Sequence, residues 1–192
     1  MSLRAMIPAK LAKFLKENKI KLELVEHRTV YTGLDKAATL KVKPSLIAKT
    51  LVLKTGKDLI MAILAANRNL DKARFAKAIK TKSFDFVSER LMKTKFKGYR
   101  VGAVPPFGAL FGIRSLLDRG LTKEKAVYVS CGNYETSLKV SPKVLEKLGA
   151  VKADFSQPKE VAKPKTNKNN KTKGKQKTMC KTCATHKNKK KK

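Results

Sequence analysis

The segment SLIAKTLVLKTGKDLIMAILAA (residues 45–66) decides the fold of this chain of 192 residues. Its two apolar runs, 45–54 and 57–66, flank Thr55-Gly56, a dipeptide typical of the tight turn of a β-hairpin. The second run ends in the longest apolar stretch of the chain, the eight residues 59–66, which is too short to span a bilayer. The segment therefore predicts two paired antiparallel strands in a soluble domain.

Lys49 is the anomaly within the first of these strands. A strand period of two places Lys49 on one face with Ile47, Leu51 and Leu53. A buried ammonium is costly unless it is paired or faces a cavity, so the position indicates a functional lysine. Taken alone, the pattern is explained more simply by an edge strand, by a lysine whose amine reaches solvent, or by a turn that contains Ile47.

Periodicity in the rest of the chain predicts a mixture of helices and strands. Helices are expected over 8–18, 69–80, 88–96 and 141–149, and a turn followed by a short helix over 31–40. Further strands are expected over 20–27, 83–87, 113–118, 125–131 and 134–140. Asn69 and Ser141 are the expected N-caps, and Gly149 is expected to end the last helix. Because strands outnumber helices and crowd together, we expect an α+β fold with a mixed, barrel-like β-sheet, closed or nearly closed and flanked by helices.

Positive charge dominates the composition. The chain has 46 Lys and Arg residues against 14 Asp and Glu residues, a net charge of +32. Residues 159–192 contribute 14 lysines and one acid, so residues 1–158 keep 32 basic and 13 acidic residues. Both parts are basic, which favours a polyanionic partner such as nucleic acid or an anionic membrane surface.

The C-terminal part lacks the apolar pattern that a fold requires. Its lysines, asparagines, threonines and glycines cannot bury enough surface, so we expect a folded domain over 1–158 and a disordered tail over 159–192. Within the tail, CKTCATH (180–186) offers three potential zinc ligands where a zinc site takes four. Such a motif could bind metal weakly or together with another chain, but we interpret it as incidental and expect no metal.

The N-terminus and the cysteines bear on the compartment. The N-terminus shows no secretory signal pattern, and the three cysteines form no evident disulfide framework. We expect a soluble cytoplasmic protein that does not associate with a membrane.

A second unusual segment is GYRVGAVPPFG (residues 98–108), a loop that is mostly apolar. Pro105 and Pro106 stiffen its backbone, and Gly102 has no side chain to keep a ligand from its backbone amide. Such a loop suits recognition of a polarised carbonyl or of a water molecule. A tight crossover between two elements would explain the same residues.

Candidate nucleophiles are present without a convincing base. Ser115, Ser130 and Cys131 are available, but the chain has two histidines, of which His186 lies in the tail. Any pair with a histidine inside the folded part must therefore use His27, and a histidine of this kind is more often structural. If the protein is an enzyme, we expect it to work without a classical side-chain nucleophile.

Four segments together resemble the YbaK/ProRS-associated editing-domain family of aminoacyl-tRNA deacylases. They are EHRTVYTGLDKAATL (26–40), IAKTLVL (47–53), the loop 98–108 and VYVSCGN (127–133). The order and spacing of these segments make the similarity specific, and it extends from about residue 8 to residue 149. It implies a mixed, barrel-like β-sheet flanked by helices.

The resemblance also implies a set of site residues. The essential strand lysine of the family corresponds to Lys49, and its GxxxP loop corresponds to Gly102–Pro106, so Lys49 and Gly102 are the expected catalytic residues. The expected substrate-binding residues are His27, Pro106, Phe107, Asp118, Ser130 and Gly132. Cys131 stands where the family commonly has a glycine. On this interpretation the loop is stiff and apolar because it forms one wall of a small acyl pocket.

The activity implied is hydrolysis of the ester of a mischarged aminoacyl-tRNA by a free-standing factor, without metal or organic cofactor. The expected partners are the acceptor end of tRNA and an aminoacyl-tRNA synthetase. The tail, including Lys189, Lys190, Lys191 and Lys192, is expected to contact the tRNA backbone without reading sequence. The alternative is a tRNA- or RNA-binding protein of the same fold with little or no activity.

Overall fold

The computed structural model describes residues 7–81 and 83–159, which all belong to one compact unit. Its helices are α1 (Ala9–Glu17), α2 (Gly33–Thr39), α3 (Lys72–Ile79), α4 (Glu89–Lys95), α5 (Gly108–Phe111), α6 (Arg119–Thr122) and α7 (Pro142–Lys147). Its strands are β1 (Glu23–Glu26), β2 (Ala48–Thr55), β3 (Asp58–Ala65), β4 (Arg68–Leu70), β5 (Asp85–Phe86), β6 (Arg114–Asp118), β7 (Val127–Ser130), β8 (Thr136–Val140), β9 (Ala150–Ala153) and β10 (Ser156–Pro158). The fold is therefore α+β, as predicted. The expected tail lies outside the described residues, except for Lys159.

The predicted hairpin forms the centre of a five-stranded sheet in the order β5-β2-β3-β6-β9. Strands β2 and β3 pair antiparallel from Ala48 opposite Ala65 to Thr55 opposite Asp58. Gly56 follows with φ +57°, a backbone conformation that glycine adopts without steric cost. The sheet is mixed, because β6 runs parallel to both β3 and β9.

Hydrophobic side chains cover both faces of this sheet. On one face the main core contains Met61 and Ile63 of β3 together with Leu11 and Leu15 of α1. On the other face a second core contains Leu53, Leu64 and Phe75 of α3 among its members. Strand β3 is buried from Ile60 to Ala65 because it is covered on both sides and flanked by β2 and β6.

Two smaller sheets complete the architecture. Strands β1, β8 and β7 form an antiparallel sheet, and β10 pairs with β4. A single bridge between Ile47 and Tyr128 connects the start of β2 to β7. Within the described residues the strands thus form three sheets and no closed barrel, so the predicted mixed sheet is confirmed and its full closure is not.

The start of β2 explains part of the Lys49 anomaly. Ile47 ends a short 3₁₀ turn over Pro44–Leu46 and packs with Ala37 and Ala66, apart from the strand face. Leu53 belongs to the second core, and Leu51 packs against it. Lys49 remains in phase with both leucines, so its position on an apolar strand face is confirmed after Ile47 is removed from the pattern.

The predicted N-cap of α3 was wrong by two residues. Asp71, and not Asn69, accepts a hydrogen bond from the Arg74 amide at 3.0 Å and begins the helix. Asn69 belongs instead to β4, which is held by pairing with β10 far along the chain. The other cap predictions hold better: Ser141 precedes α7, and Gly149 follows it with φ +88°.

Candidate active site

A small cavity opens where the segment before α2, the start of β2, the loop 98–108 and the end of β7 meet. Its lining residues are Val30, Tyr31, Thr32, Gly33, Lys36, Ile47, Ala48, Lys49, Gly102, Ala103, Ser130, Asn133 and Tyr134. The cavity offers about 40 Å³ to water-sized molecules. The sequence predictions Lys49, Gly102 and Ser130 therefore meet at one place, although they are far apart in the chain.

Lys49 is held by the backbone of β4. Its Nζ donates a hydrogen bond to the carbonyl oxygen of Arg68 at 2.5 Å, and its side chain is half-buried. Burial lowers the pKa of the Lys49 ammonium, and the nearby charge of Lys159 lowers it further. This environment suits a lysine that meets a ligand's polarised or negative group, because no carboxylate within the described residues forms an ion pair with it.

Arg68 is itself anchored, which fixes the carbonyl that Lys49 contacts. Its guanidinium donates to the backbone oxygen of Ser156 at 2.9 Å and to the hydroxyl of the same residue. Arg68 Nε also lies 3.9 Å from Asp118 Oδ2. A chain of contacts therefore runs from Asp118 through Arg68 to the ammonium of Lys49.

Asp118, expected to bind substrate, lies in this network and not in the cavity lining. It is 1% exposed, and its carboxylate accepts a hydrogen bond from the Gly120 amide at 2.9 Å as the N-cap of α6. The second carboxylate oxygen lies 3.5 Å from the Phe155 amide. The structure thus favours a positioning role for Asp118.

That role predicts a loss of stability on replacement. Asp118→Ala removes the α6 cap and leaves the Phe155 amide and Arg68 without their carboxylate partner, so the free energy of unfolding should fall by about 1–3 kcal/mol. Urea unfolding measures this free energy. Asp85→Ala, at an exposed position on β5, is the control and should change the free energy of unfolding little. Unaltered stability in Asp118→Ala would show that its carboxylate is not a structural partner.

Gly102 occupies the exposed tip of the loop 98–108. Its φ is +82°, and a Cβ built there would meet no atom within 4 Å. No hydrogen bond to its amide occurs among residues 7–81 and 83–159. Gly102 is therefore an exposed residue at the edge of the cavity, with an amide that donates to no described residue and a backbone conformation that glycine adopts readily.

Contacts on both sides of Gly102 hold the loop in place. The Arg100 amide donates to the Gly132 carbonyl at 2.9 Å, and the Tyr134 hydroxyl donates to the Val101 carbonyl at 2.6 Å. Gly132 has φ +112°, and a Cβ there would lie 2.8 Å from the Tyr99 ring. Gly132, expected to bind substrate, therefore supports the loop and does not line the cavity.

The apolar residues of the loop have a different explanation from the predicted pocket wall. Val104 and Phe107 are 3% and 1% exposed and belong to the main core, where the Phe107 ring lies 6.1 Å from that of Phe14. Pro106 is buried as well. Pro106 and Phe107 do not line the cavity, whose wall from this loop consists of Gly102 and Ala103.

His27, the remaining predicted binding residue, also lies outside the cavity lining. Its Nδ1 is 2.9 Å from the Arg28 carbonyl, so Nδ1 holds the proton and Nε2 accepts the Ser137 hydroxyl at 2.8 Å. Burial lowers the pKa of the imidazole despite the hydrogen bond to Arg28. These contacts occupy both ring nitrogens and fit a structural histidine.

The two candidate nucleophiles beside the cavity differ in exposure. Cys131 is fully buried and donates to the Thr136 carbonyl at 3.0 Å, and burial raises the pKa of its thiol to about 11. Its thiolate is therefore scarce near neutral pH. Ser130 is accessible from the cavity, where its Oγ accepts a hydrogen bond from Lys36 Nζ at 3.0 Å.

Lys36 is a cavity residue that the sequence analysis missed. It is 7% exposed, and burial lowers the pKa of its ammonium. No clear signal for it is present in the sequence, because Lys36 lies beside Ala37 in a helix of seven residues and contacts Ser130, 94 residues further along the chain. Tyr31 and Tyr134, whose rings contact edge-on at 4.9 Å, were missed too.

The geometry agrees with a match to a known family. Residues 27–148 match the family model described as the aminoacyl-tRNA editing domain. The chain belongs to the aminoacyl-tRNA editing domain family. The matched range contains every residue that lines the cavity, so the cavity is a feature of the editing domain itself.

Three comparisons place this editing domain among known proteins. It is 26% identical over 128 residues to the uncharacterized protein YwhH of Bacillus subtilis, covering 64% of this chain and 78% of that protein. The crystal structure of hypothetical protein APE2540 superposes with a TM-score of 0.70 at 26% identity, over 77% of this chain and 99% of the other. A protein proposed to be a trans-editing enzyme for prolyl-tRNA synthetase shares the fold. The two structures superpose with a TM-score of 0.69 at 20% identity, over 79% of this chain and 99% of the other.

The described residues contain neither a cluster suited to a metal ion nor a helix suited to a membrane. In the described part of the editing domain, no three His, Cys, Asp or Glu side chains cluster closely enough to hold a metal ion. None of the helices described over 7–81 and 83–159 has the length and apolarity needed to cross a bilayer. The CxxC and His186 of the tail lie outside the described residues.

Proposed function

We propose that this protein is a free-standing editing hydrolase that cleaves the ester of mischarged aminoacyl-tRNA. The observation that supports it best is the meeting of Lys49 and Gly102 at one cavity, in a chain of the editing-domain family. Each residue alone has an ordinary structural explanation. Together they place an ammonium and an exposed backbone amide on the same small cavity.

The chemistry this arrangement supports is attack of water on the ester carbonyl. An aminoacyl ester is already activated, so orienting it beside water and stabilising the oxyanion supplies much of the required acceleration. The Gly102 amide is suited to donate to the oxyanion, and the Lys49 ammonium to hold the ester or the adjoining phosphate. The ester oxygen of the ribose leaves with a proton, and the amino acid departs as a carboxylate.

The charge distribution supports tRNA as the partner. Residues 1–158 hold 32 basic and 13 acidic residues, and the rest of the chain adds 14 lysines. Such a field attracts a polyanion at long range and stabilises contacts with its phosphates. A synthetase partner and a cytoplasmic location remain expectations from the family resemblance and the sequence.

The second candidate is an RNA-binding protein of the same fold without activity. The small cavity is the observation that favours it, since about 40 Å³ holds a few water molecules or the end of a short side chain and no more of a substrate. The two candidates differ in the role of Lys49. An inert RNA-binding protein does not require a half-buried lysine at the same cavity as a Gly102 amide that donates to no described residue.

Editing in trans is tested in a reconstituted charging reaction. A synthetase that attaches a non-cognate amino acid is incubated with its tRNA, with and without this protein. We expect the plateau of mischarged tRNA to fall and that of correctly charged tRNA to stay. If the plateau of mischarged tRNA is the same with and without this protein for a series of synthetases, although the protein binds the tRNAs, the inert RNA-binding protein is favoured.

The tail is expected to supply nonspecific tRNA affinity without taking part in the chemistry. Truncation after Glu160 keeps Lys159, whose amide donates to the Asn67 carbonyl at 3.0 Å, and removes 13 lysines. Binding should weaken and the slope of log K against log salt should flatten, by roughly 0.7 per lost single-strand contact and about 0.9 per duplex contact. Turnover at saturating tRNA should stay unchanged.

Salt titrations and saturated rates of the full-length and truncated proteins measure both effects. An unchanged slope would show that the tail does not contact tRNA. A collapsed saturated rate would show that it helps to build the site.

A further inference from the structure

Lys36 is a buried cation that has no anionic partner among the described residues. It is 7% exposed, and no Asp or Glu among residues 7–81 and 83–159 forms an ion pair with it. The neighbouring Asp35 carboxylate accepts the Thr32 hydroxyl at 2.6 Å instead. A buried ammonium left in this way is costly unless a ligand supplies the missing acceptor.

Lys36 and Ser130, which both line the cavity, have donors left over within the described part of the chain. Lys36 Nζ has three N–H groups and gives one to Ser130 Oγ, so two remain there, and the Ser130 hydroxyl keeps its own proton to donate. None of the cavity-lining residues is an aspartate or a glutamate. This end of the cavity is thus positively charged and rich in donors.

The size of the cavity indicates which part of a substrate meets these donors. About 40 Å³ is room for roughly three water molecules, at about 10–15 Å³ each. A phosphodiester with a sugar on each side does not fit there, whereas the end of a short acyl side chain does. The α-ammonium group of an aminoacyl ester is repelled by Lys36, so the side chain is favoured to point toward it.

We propose that Lys36 and Ser130 form a specificity-determining pair, which favours acyl side chains ending in an oxygen acceptor over apolar side chains of the same shape. A carboxylate, as in an aspartyl group, accepts hydrogen bonds from Lys36 and Ser130 and also neutralises the charge of the Lys36 ammonium. An asparaginyl amide satisfies the donors alone, and a leucyl group satisfies neither. This inference rests on the proposed function, since it assigns the acyl group that the same cavity takes.

The test measures binding, so that it does not depend on hydrolysis. Adenosine analogues that carry aspartate or leucine through a stable 3′-amide are titrated into wild-type protein, Lys36→Met and Ser130→Ala. We expect wild-type protein to bind the aspartyl analogue at least about tenfold more tightly than the leucyl analogue. The ratio should fall to about one in Lys36→Met and lie between these values in Ser130→Ala.

The exposed Lys43→Met is the matched control, and it should keep the wild-type ratio. Melting temperatures establish folding, and Lys36→Met should be no less stable because it removes an unpaired buried charge. Equal affinities in wild-type protein, a ratio that survives Lys36→Met, or absence of binding would each overturn the proposal. If Lys36→Met binds both analogues more weakly by the same factor, the proposal is overturned too, and Lys36 contacts the part that the two analogues share. If the ratio holds but no ester is cleaved, the proposed hydrolysis fails and the inference stands.

Discussion

Lys49→Ala is expected to lower the rate of deacylation by about 10²–10³ while the protein stays folded. The magnitude is that of losing one preorganised donor at a developing negative charge. Folding should survive, because the lysine is half-buried and, within the described part of the chain, its side chain makes one hydrogen bond, to the Arg68 carbonyl. Single-turnover rates, with protein in excess over charged tRNA, measure the effect on chemistry apart from binding.

Lys54→Ala is the matched control for this variant. Lys54 lies on the same strand, is exposed, and does not line the cavity. Its loss should change the single-turnover rate by less than about twofold, since one exposed charge acts mainly on association. A near wild-type rate in Lys49→Ala would refute the assignment of Lys49, and loss of folding would show that the lysine is structural.

Gly102→Val should lose more activity than stability. At φ +82° any side chain is strained, by about 1–2 kcal/mol, although the added Cβ meets no atom within 4 Å. The strain is expected to shift the backbone amide away from the carbonyl it serves, and a displacement of this kind costs up to about 10²-fold in rate. Single-turnover rates and urea unfolding give the two quantities.

Gly98 offers a matched control in the same loop. Its φ is +85°, a Cβ there also meets no atom within 4 Å, and it does not line the Lys49 cavity. Gly98→Val should lose as much stability as Gly102→Val. Its loss of single-turnover rate should be at least about tenfold smaller than that of Gly102→Val. If the two variants lose activity equally, the loop is only a crossover between elements.

Local patterns predicted the parts of the fold that depend on local chemistry. The hairpin β2–β3 follows from two apolar runs around Thr55-Gly56, and Gly149 after α7 follows from the freedom of glycine at a helix end. Pairings between distant segments were missed. Strand β4 exists because β10 pairs with it, and this partner turned a predicted helix start at Asn69 into a strand.

The candidate site was likewise predictable where it depends on local patterns and not where it depends on contacts between distant segments. Strand alternation isolated Lys49, the Gly/Pro loop indicated Gly102, and Ser130 was a candidate nucleophile; the resemblance joined these three residues in one site, and all of them line the cavity. Phe107 could not be separated from them, because the sequence does not tell an apolar residue at a pocket wall from one in the core. Lys36 was overlooked because a lysine within a short helix is usually solvated, and its burial depends on the distant strand β7.

The most direct test of the central claim is single-turnover deacylation across a panel of charged tRNAs. Each tRNA carries a labelled amino acid, cognate or non-cognate, and loss of the ester is followed with the full-length protein in excess. We predict that at least one mischarged tRNA loses its amino acid much faster than it does spontaneously, and that Lys49→Ala abolishes the acceleration. Spontaneous rates for the whole panel, under conditions where the protein binds the same tRNAs, would contradict the account.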